Sequence, residues 1–507
     1  MLARVVTFAI EGVQATRVEV EADIRPGLPA FNIVGLADKG VREARERVRS
    51  ALANCGFEFP QKRITVNLAP AYLRKIGPCF DLPLALAVLV AAGQLESERL
   101  EGCAAVGELS LTGELRPARG ALAFAEGLVT ERLDRLVLPS SSAGEAALVP
   151  GVAVVGVCDL REAVDVLRGR ATASAPSDVE VESGAIAQEQ LDLGDVRGHS
   201  ALVPAFEAAA AGGHNLYLHG PPGTGKTMLA RRLSTLLPPL SPSEAIEVTK
   251  IHSVAGLHHG QGLMSSRPFR APHHTVSAAG LVGGGAPPMP GETTLAHHGV
   301  LFLDELSEFS RASLEALRQP LEDGRVTIVR GQQSTTFPSR CMLVAASNPC
   351  SCGHGGRHCC CSGADLARHR RKLSGPLLDR IDIAIAVQRP SARSLAQDSC
   401  PASADVREGV VLARQRQERR YARFGVSCNA QAPAALLRDC VDASPAALKL
   451  LSQLHDAHCL SARGHSRVLR VARTVADLQD SDKVHREHVL AAAALRFEAN
   501  SPQGVAA

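Results

Sequence analysis

A chain of 507 residues has room for about three domains, each large enough to bury its own core. Its 45% apolar and 21% charged residues are the balance of a folded globular protein and exclude an intrinsically disordered one. Aromatic residues are 3% with no Trp, which excludes a binding face built on rows of stacked rings, and a net charge of +3 leaves any basic surface local.

Residues 1–170 alternate β-rich runs (Arg4–Phe8, Val18–Val20, Ile64–Asn67) with helical runs (Lys39–Ala53, Leu82–Ala92), the pattern of an α/β domain. The opening residues, MLARVVTFAIEGVQATRVEVEA, lack the apolar stretch and small-residue cleavage site of a secretory signal. The most apolar run, Leu82–Ala92, is shorter than the ~20 residues that span a bilayer. A cytoplasmic protein without a membrane segment is expected. Residues 171–195 are rich in Ser, Ala, Asp and Glu and hold no Lys or Arg, which predicts an acidic flexible linker. A second α/β pattern follows over 196–390 and carries a Cys-rich loop at 350–361. The remainder, 391–507, reads as a helical, Arg-rich lid. The 14 cysteines in such a chain read as buried thiols or metal ligands rather than disulfides.

The most specific motif is Gly220-Pro221-Pro222-Gly223-Thr224-Gly225-Lys226-Thr227, set between a strand-like run, Asn215–His219, and a helical run from Met228 to Leu237. Glycines let backbone N–H groups close on phosphate oxygens, and the following helix N-terminus adds partial positive charge. Lys226 is expected to reach the β- and γ-phosphates of ATP and Thr227 to ligate Mg²⁺, with Met228 starting the helix beside the nucleotide. Val300-Leu-Phe-Leu-Asp304-Glu305 reads as a buried strand ending in two carboxylates at the ligand-binding edge of a parallel sheet. Asp304 would hold Mg²⁺ and Glu305 polarise the attacking water. A third buried run, Cys341–Ser347, ends at Asn348, placed to orient that water. Beyond it come Leu377-Leu-Asp-Arg380-Ile-Asp382 and Arg463-Gly-His-Ser-Arg467-Val-Leu-Arg470.

This order of motifs resembles the P-loop ATPases of the AAA+ class. The resemblance implies an arginine acting in trans on a neighbour's γ-phosphate, assigned to Arg380, and a lid arginine acting in cis, assigned to Arg467 with Arg470 as its competitor. Arg267–Thr275, Gly283–Gly285, Pro290–Glu292, Leu295–His297, Asn348–Cys352, Ser374–Asp382 and Arg470–Leu478 narrow it further. Over nearly the whole chain the sequence resembles the ComM (YifB) family of Mg-chelatase-like AAA+ proteins. Asp195–His199 resembles the segment that opens the family's ATPase module near the adenine. The resemblance implies a Lon-protease-like N-terminal domain of ribosomal-S5 type and a homo-oligomeric, hexameric ring motor. It also implies DNA as the substrate, in branch migration during recombination and natural transformation, with recombination proteins as partners.

Lon-type proteases place a nucleophilic Ser after Gly-Pro and a Lys downstream. Here Gly77-Pro78 precedes Cys79, and the matching segment Gly113–Arg119 has no Lys, while Arg cannot accept a proton. A non-proteolytic domain is expected, so an ATP-dependent protease is the weaker alternative. A chelatase motor that drives metal into a tetrapyrrole is the other. Four thiolates satisfy tetrahedral Zn²⁺, and the family resemblance places them at Cys350, Cys352, Cys359 and Cys361, leaving Cys360 over. Surface thiols without metal are the rival reading. Arg368–Lys372 and Arg414–Arg420 with Arg423 are the candidate phosphate-contacting runs, the second equally readable as a solvated helix face. His273-His274 could line a pore insert or simply pack.

Overall fold

The computed structural model describes residues 2–172, 191–258, 262–330, 333–354, 359–373, 377, 380–457 and 461–497. Alternating apolar and polar residues in Leu2–Glu11 and Gln14–Arg25 give strands with one buried face, and Gly12, in the left-handed region, turns them into a hairpin. This hairpin is the middle of a seven-stranded sheet. From one edge the order is Ala30–Val34, Arg63–Ala69, Gln14–Arg25, Leu2–Glu11, Cys103–Ala105, Arg135–Pro139 and Ala153–Val157. The apolar run near residue 82 forms the helix Asp81–Ala91, apolar on every side and buried on every side. Its first residue, Asp81, is the one buried acid there, and Arg47 grips both of its oxygens at 2.6 and 2.9 Å. All of this sheet lies within the first 170 residues.

The second sheet has five parallel strands in the order Phe269–Arg270, Val300–Leu303, Met342–Ser347, Leu216–His219, Ile383–Ala386. Helices such as Val203–Gly212 and Lys226–Leu236 cover it, so its strands are almost continuously apolar. The order is not sequential: Met342–Ser347 inserts between Leu216–His219 and Val300–Leu303. The residues that follow those three strands therefore meet at one edge.

The helices Ser403–Tyr421, Pro445–Ala457, Ala462–Leu478 and Arg486–Phe497 pack on this core. A polar network ties Ser403–Tyr421 to Ala462–Leu478: Asn429 donates to Thr474 and Asp477, both at 2.9 Å, and Arg420 pairs with Asp477. Here the sequence reading of the basic run needs correction. Arg414 donates to the Ala210 carbonyl at 2.9 Å, Arg416 pairs with Asp480 and Arg420 with Asp477, so these arginines hold the bundle rather than line an open basic face. The expected linker also ends early. Residues 173–190 lie outside the described residues, but Asp192 accepts the N–H groups of Gly194 and Ser403, and Leu193 is buried.

The N-terminal sheet domain is docked on the second. Lys250 pairs with Glu126 at 2.7 Å, and Ser253 accepts the Gly120 N–H while donating to Glu145. Val13, at the hairpin turn, joins Ile251, Leu295 and Phe337 in a small apolar cluster. Among the described residues no helix is long and apolar enough to cross a membrane.

Candidate nucleotide site

The strand Leu216–His219 delivers Gly220, where a Cβ would stand 2.1 Å from the Val387 carbonyl oxygen, so only glycine fits. Gly223 and Gly225 take positive φ (75° and 86°), which curls the loop and starts the helix Lys226–Leu236 at its N-cap. Lys226 folds back into the loop, donating to the carbonyls of Gly220 (2.7 Å) and Pro221 (2.9 Å) and to Asn348 Oδ1 (3.1 Å). Burial holds its pKa below the usual lysine range, against the opposing pull of Asp304 and Glu305. Thr227 Oγ1 donates to Asp304 Oδ2 at 2.6 Å. The hydroxyl and the carboxylate expected to share Mg²⁺ are thus already side by side, and hard oxygen donors of this kind fit that ion. Met228 packs on the core beneath the loop.

Asp304 Oδ1 accepts the Glu305 N–H at 2.9 Å. Glu305 sits in the left-handed region (φ 51°), a conformation that costs a non-glycine residue about 1–3 kcal/mol and directs its half-exposed side chain outward. A cavity of about 270 Å³ opens there, lined by Thr227, Arg231, His274, Phe302, Asp304 and Glu305 among others. Two histidines belong to this site: His199, expected near the adenine, and His274, which sequence reasoning did not place at the chemistry. His274 Nδ1 lies 3.5 Å from Glu305 Oε2. His199 is buried and bonded to the Thr224 backbone, and burial lowers its pKa. Asn348 is held in turn by His369, whose Nε2 is 3.0 Å from its carbonyl.

The two arginines fall elsewhere. Arg380 and Arg467 stand at the opposite edge of the sheet, beside Asn215 at the start of its strand. Arg380 pairs with Glu322, which also takes Arg463 at 3.0 Å. Arg467 faces the buried Asp382 at 3.4 Å, a carboxylate held down in pKa by the His214 hydrogen bond and by Arg467 and Arg470, against the penalty of its burial. The cis role expected of Arg467 is not what the fold provides: the strand length separates it from its own phosphate loop. Arg470, its competitor, is on the same edge and donates to the Ala432 carbonyl. These groups line a cavity of about 1050 Å³.

The four cysteines of the 350–361 loop converge. Cys350 Sγ is 3.3 Å from Cys352 and 3.6 Å from Cys359, and Cys352 is 3.8 Å from Cys359, with all four sulfurs, Cys361 included, within 4.8 Å of one another. Sulfurs bound at ~2.3 Å around one zinc stand about 3.8 Å apart, so the set fits that ion. Cys360 is exposed and outside the set. The loop touches the phosphate loop: a Cβ on Gly353 would stand 3.1 Å from Pro222 Cδ. Glu247, His297 and His298 also cluster. There, however, His297 Nδ1 accepts the Arg340 N–H, so Nε2 keeps the proton and donates it to Glu247, a hydrogen-bonded cluster rather than a ligand set. In the N-terminal domain burial pushes the Cys79 thiol up to about 12, and the charges that reach it are Asp81, Glu108 and Arg119, with no lysine among them. Of the first basic run, Arg368 pairs with Asp365 at 3.5 Å and Lys372 donates to the Ser307 carbonyl.

A five-stranded parallel sheet with a glycine-cradled lysine, a Thr–Asp pair and an Asn at one edge defines a nucleotide-binding protein of the Mg-chelatase-like AAA+ class. Family models agree: "Magnesium chelatase, subunit ChlI" matches residues 192–395, "Subunit ChlI of Mg-chelatase" 20–142, and "Magnesium chelatase, subunit ChlI C-terminal" 401–496. A Mycobacterium tuberculosis protein is 44% identical over 501 residues, covering 98% of both chains. YifB of Escherichia coli and the competence protein ComM of Haemophilus influenzae are each 42% identical, covering 98% of this chain and 97% of theirs. The chain belongs to the ComM/YifB family of Mg-chelatase-like AAA+ proteins, a family of ring-forming ATPases.

Proposed function

We propose that the protein is a Mg²⁺-dependent ATPase that works as a homo-hexameric ring on DNA in the cytoplasm, migrating branched junctions during recombination. The observation that carries the reading is the division of the site between two edges of one sheet. Lys226, Thr227, Asp304, Glu305 and Asn348 meet at one edge, while Arg380, Arg463 and Arg467 stand at the other. A closed ring of heterologous contacts brings the second edge of one subunit to the first edge of the next.

In this reading backbone N–H groups of the phosphate loop and the charge of Lys226 hold the β- and γ-phosphates. Thr227 and Asp304 would hold Mg²⁺, which would supply neutralisation of charge on the phosphate oxygens. Glu305 accepts a proton from the attacking water, and Asn348 orients that water from the neighbouring strand. Arg380, released from Glu322, stabilises charge developing on the neighbour's γ-phosphate. Cys350, Cys352, Cys359 and Cys361 would hold zinc, which would fix their loop where Gly353 lies against Pro222 of the phosphate loop. The N-terminal domain serves as a platform for the ring or for DNA.

Support for DNA is the relationship to ComM, whose name records competence. The family models favour a second reading, a motor for metal insertion into a tetrapyrrole. The test offers the purified protein four-way DNA junctions, linear duplexes and a metal-free porphyrin, with ATP. Junction-stimulated ATPase with strand exchange supports the first reading. Turnover indifferent to every DNA, with metal inserted into the porphyrin, overturns it.

A further inference from the structure

The seven-stranded sheet of the N-terminal domain stops at one side in the strand Ala30–Val34, which pairs in parallel with Arg63–Ala69. The helix that follows, Lys39–Asn54, buries Val41, Ala44, Val48, Ala51 and Leu52 and carries five cations against two acids. A helix turns 100° per residue, which puts Arg42, Arg45 and Arg49 within about 60° of one another along roughly 10 Å, with Arg47 on the opposite flank. The two flanks face different ways. Arg47 turns inward to Asp81, whereas Arg49 lies over the Phe59 ring, 5.8 Å from its centroid. Phe59 in turn packs on Phe31 of the outermost strand, ring centroids 5.8 Å apart. The line of three exposed arginines therefore overlooks the open edge of the sheet. The acids of this helix make only surface pairs, Glu46 with Arg45 at 3.1 Å and Glu43 with Lys39 at 3.6 Å, which are worth little.

Where the edge strand ends, two loops are locked together and turn large side chains outward. Gly35 is required by close approach, since a Cβ there would stand 2.3 Å from the Leu68 carbonyl oxygen, and Leu36 follows at φ 50°. The Leu36 carbonyl accepts the Lys75 N–H at 3.3 Å, and the Lys75 carbonyl accepts the Asp38 N–H at 3.0 Å. Lys75 is fully buried and donates its ammonium to the Pro70 carbonyl, which closes the loop between them. Within that loop Leu73 and Lys75 are buried while Tyr72 and Arg74 are exposed. Leu36 is 58% and Tyr72 78% exposed, so an apolar surface and a ring stand in water beside Arg74. Asp38, the acid between the loops, is already committed to the N–H groups of Val41 at 2.8 Å and Gly77 at 3.3 Å.

We propose that this edge of the N-terminal domain is a binding track for unpaired DNA, in which a base stacks on Tyr72 beside Leu36 while Arg74, Arg42, Arg45 and Arg49 take the phosphates. Cations along one flank of an exposed ring are complementary to a polyanion with flat bases. A ring that stacks needs bases free of the duplex, so the track selects single strands. The composition excludes rows of rings, not one ring set among arginines. An acidic polypeptide would answer the arginines but would leave Tyr72 without a flat partner. The proposal rests on the reading of the protein as one that acts on DNA, and it gives the N-terminal domain the grip on a displaced strand while the second sheet hydrolyses ATP.

The test measures binding of the full chain to a fluorescent oligothymidylate and to a duplex, by anisotropy across a salt series. Tyr72→Ala should weaken the single strand about 5- to 150-fold, the loss of one stacked base, and leave the duplex unchanged. Tyr72→Phe keeps the ring and should bind as wild type does. Replacing Arg42, Arg45 and Arg49 together by Gln should flatten the slope of log affinity against log salt by about 2, at ~0.7 per phosphate of a single strand. ATPase without DNA should stay at the wild-type rate in every variant, because none of these residues is at the nucleotide. Equal oligothymidylate affinity in wild type and Tyr72→Ala overturns the proposal. So does displacement of the strand by oligoglutamate of equal charge, which would mark the edge as a site for acidic polypeptide. Should Tyr72→Ala lose its ATPase, the arginine variant decides alone, and an unchanged salt slope overturns the track. A wild type that binds no DNA of either form sinks the underlying DNA reading instead, a failure read from the unaltered protein.

Discussion

His297 offers a quantitative check on the fold at the point where the strand carrying Asp304 begins. The ring is 2% exposed. Its Nδ1 accepts the Arg340 N–H at 2.9 Å and its Nε2 donates to Glu247 at 3.0 Å, an arrangement that requires the neutral ring. Burial drives its pKa down to about 4, with Glu247 opposing and His298 and Arg340 adding to the fall. In the unfolded chain an ordinary histidine takes up its proton near 6.5. Between those values the unfolded state holds a proton that the folded state refuses, so stability is full above pH 6.5 and is lost as pH falls toward 4. About 2.5 pH units at 1.36 kcal/mol each gives a total near 3 kcal/mol, of which roughly 2 kcal/mol is gone by pH 5. Glu247 is itself held below the usual carboxylate range by its two histidine donors. Its contribution disappears only below about pH 4.5, outside the upper part of the window.

The measurement is the melting midpoint of the ATPase module by calorimetry at pH 7, 6 and 5, for wild type and His297→Gln. For a unit of about 200 residues, 2 kcal/mol corresponds to a shift of ~4–8 °C. Wild type should lose that much more than the variant between pH 7 and 5, whatever the variant costs at pH 7. Equal losses in both proteins would refute the assignment of a buried neutral ring.

Lys226→Ala should abolish ATP turnover by removing the charge on the phosphates, whereas Glu305→Gln should leave nucleotide binding within a few-fold of wild type and stop hydrolysis, both read by analogue binding and phosphate release. Arg380→Ala should bind ATP normally but hydrolyse it ~10³–10⁵-fold more slowly, the usual worth of an arginine finger. Mixed with Lys226→Ala it should regain activity, up to roughly a quarter of the interfaces at equal proportions in a heterologous ring. No recovery in mixtures shown to co-assemble would reject the trans role. Purified protein should carry about one zinc per chain. Replacing Cys352 and Cys361 together should release the metal and reduce ATPase through the loosened contact of Gly353 with Pro222, and a metal-free wild type with full activity would exclude the zinc.

Much of the nucleotide site is legible because its determinants are local. The glycines, the lysine and the helix they precede all lie between Gly220 and Leu236, and apolar runs ending in Asp304 or Asn348 announce buried strands with polar tips. Sheet order is not local, and the insertion of Met342–Ser347 between two earlier strands is what puts Asn348 on Lys226. His274 escapes notice because its partner, Glu305, is 31 residues away and the contact depends on which way a ring points. Arg467 misleads for a related reason. Order along the chain predicts a lid residue over the nucleotide, but the helix Ala462–Leu478 begins beside Asp382 at the far edge of the sheet. The arginines at 414, 416 and 420 read as a basic face only until their acceptors, Ala210, Asp480 and Asp477, come from distant segments to meet them. Composition marks the acidic stretch after residue 170, yet cannot see that Asp192 caps a turn against Ser403.

The placement of Arg380 and Lys226 on opposite edges has a genetic consequence. In a ring built this way no chain owns a complete catalytic centre, so a copy defective at both edges spoils two centres while contributing to neither. If such copies mix at random with sound ones, working centres fall as the square of the sound fraction, and one defective copy in ten removes roughly a fifth of them. A double Lys226→Ala, Arg380→Ala allele expressed beside the normal one should therefore be dominant, and its severity should climb more steeply than its abundance.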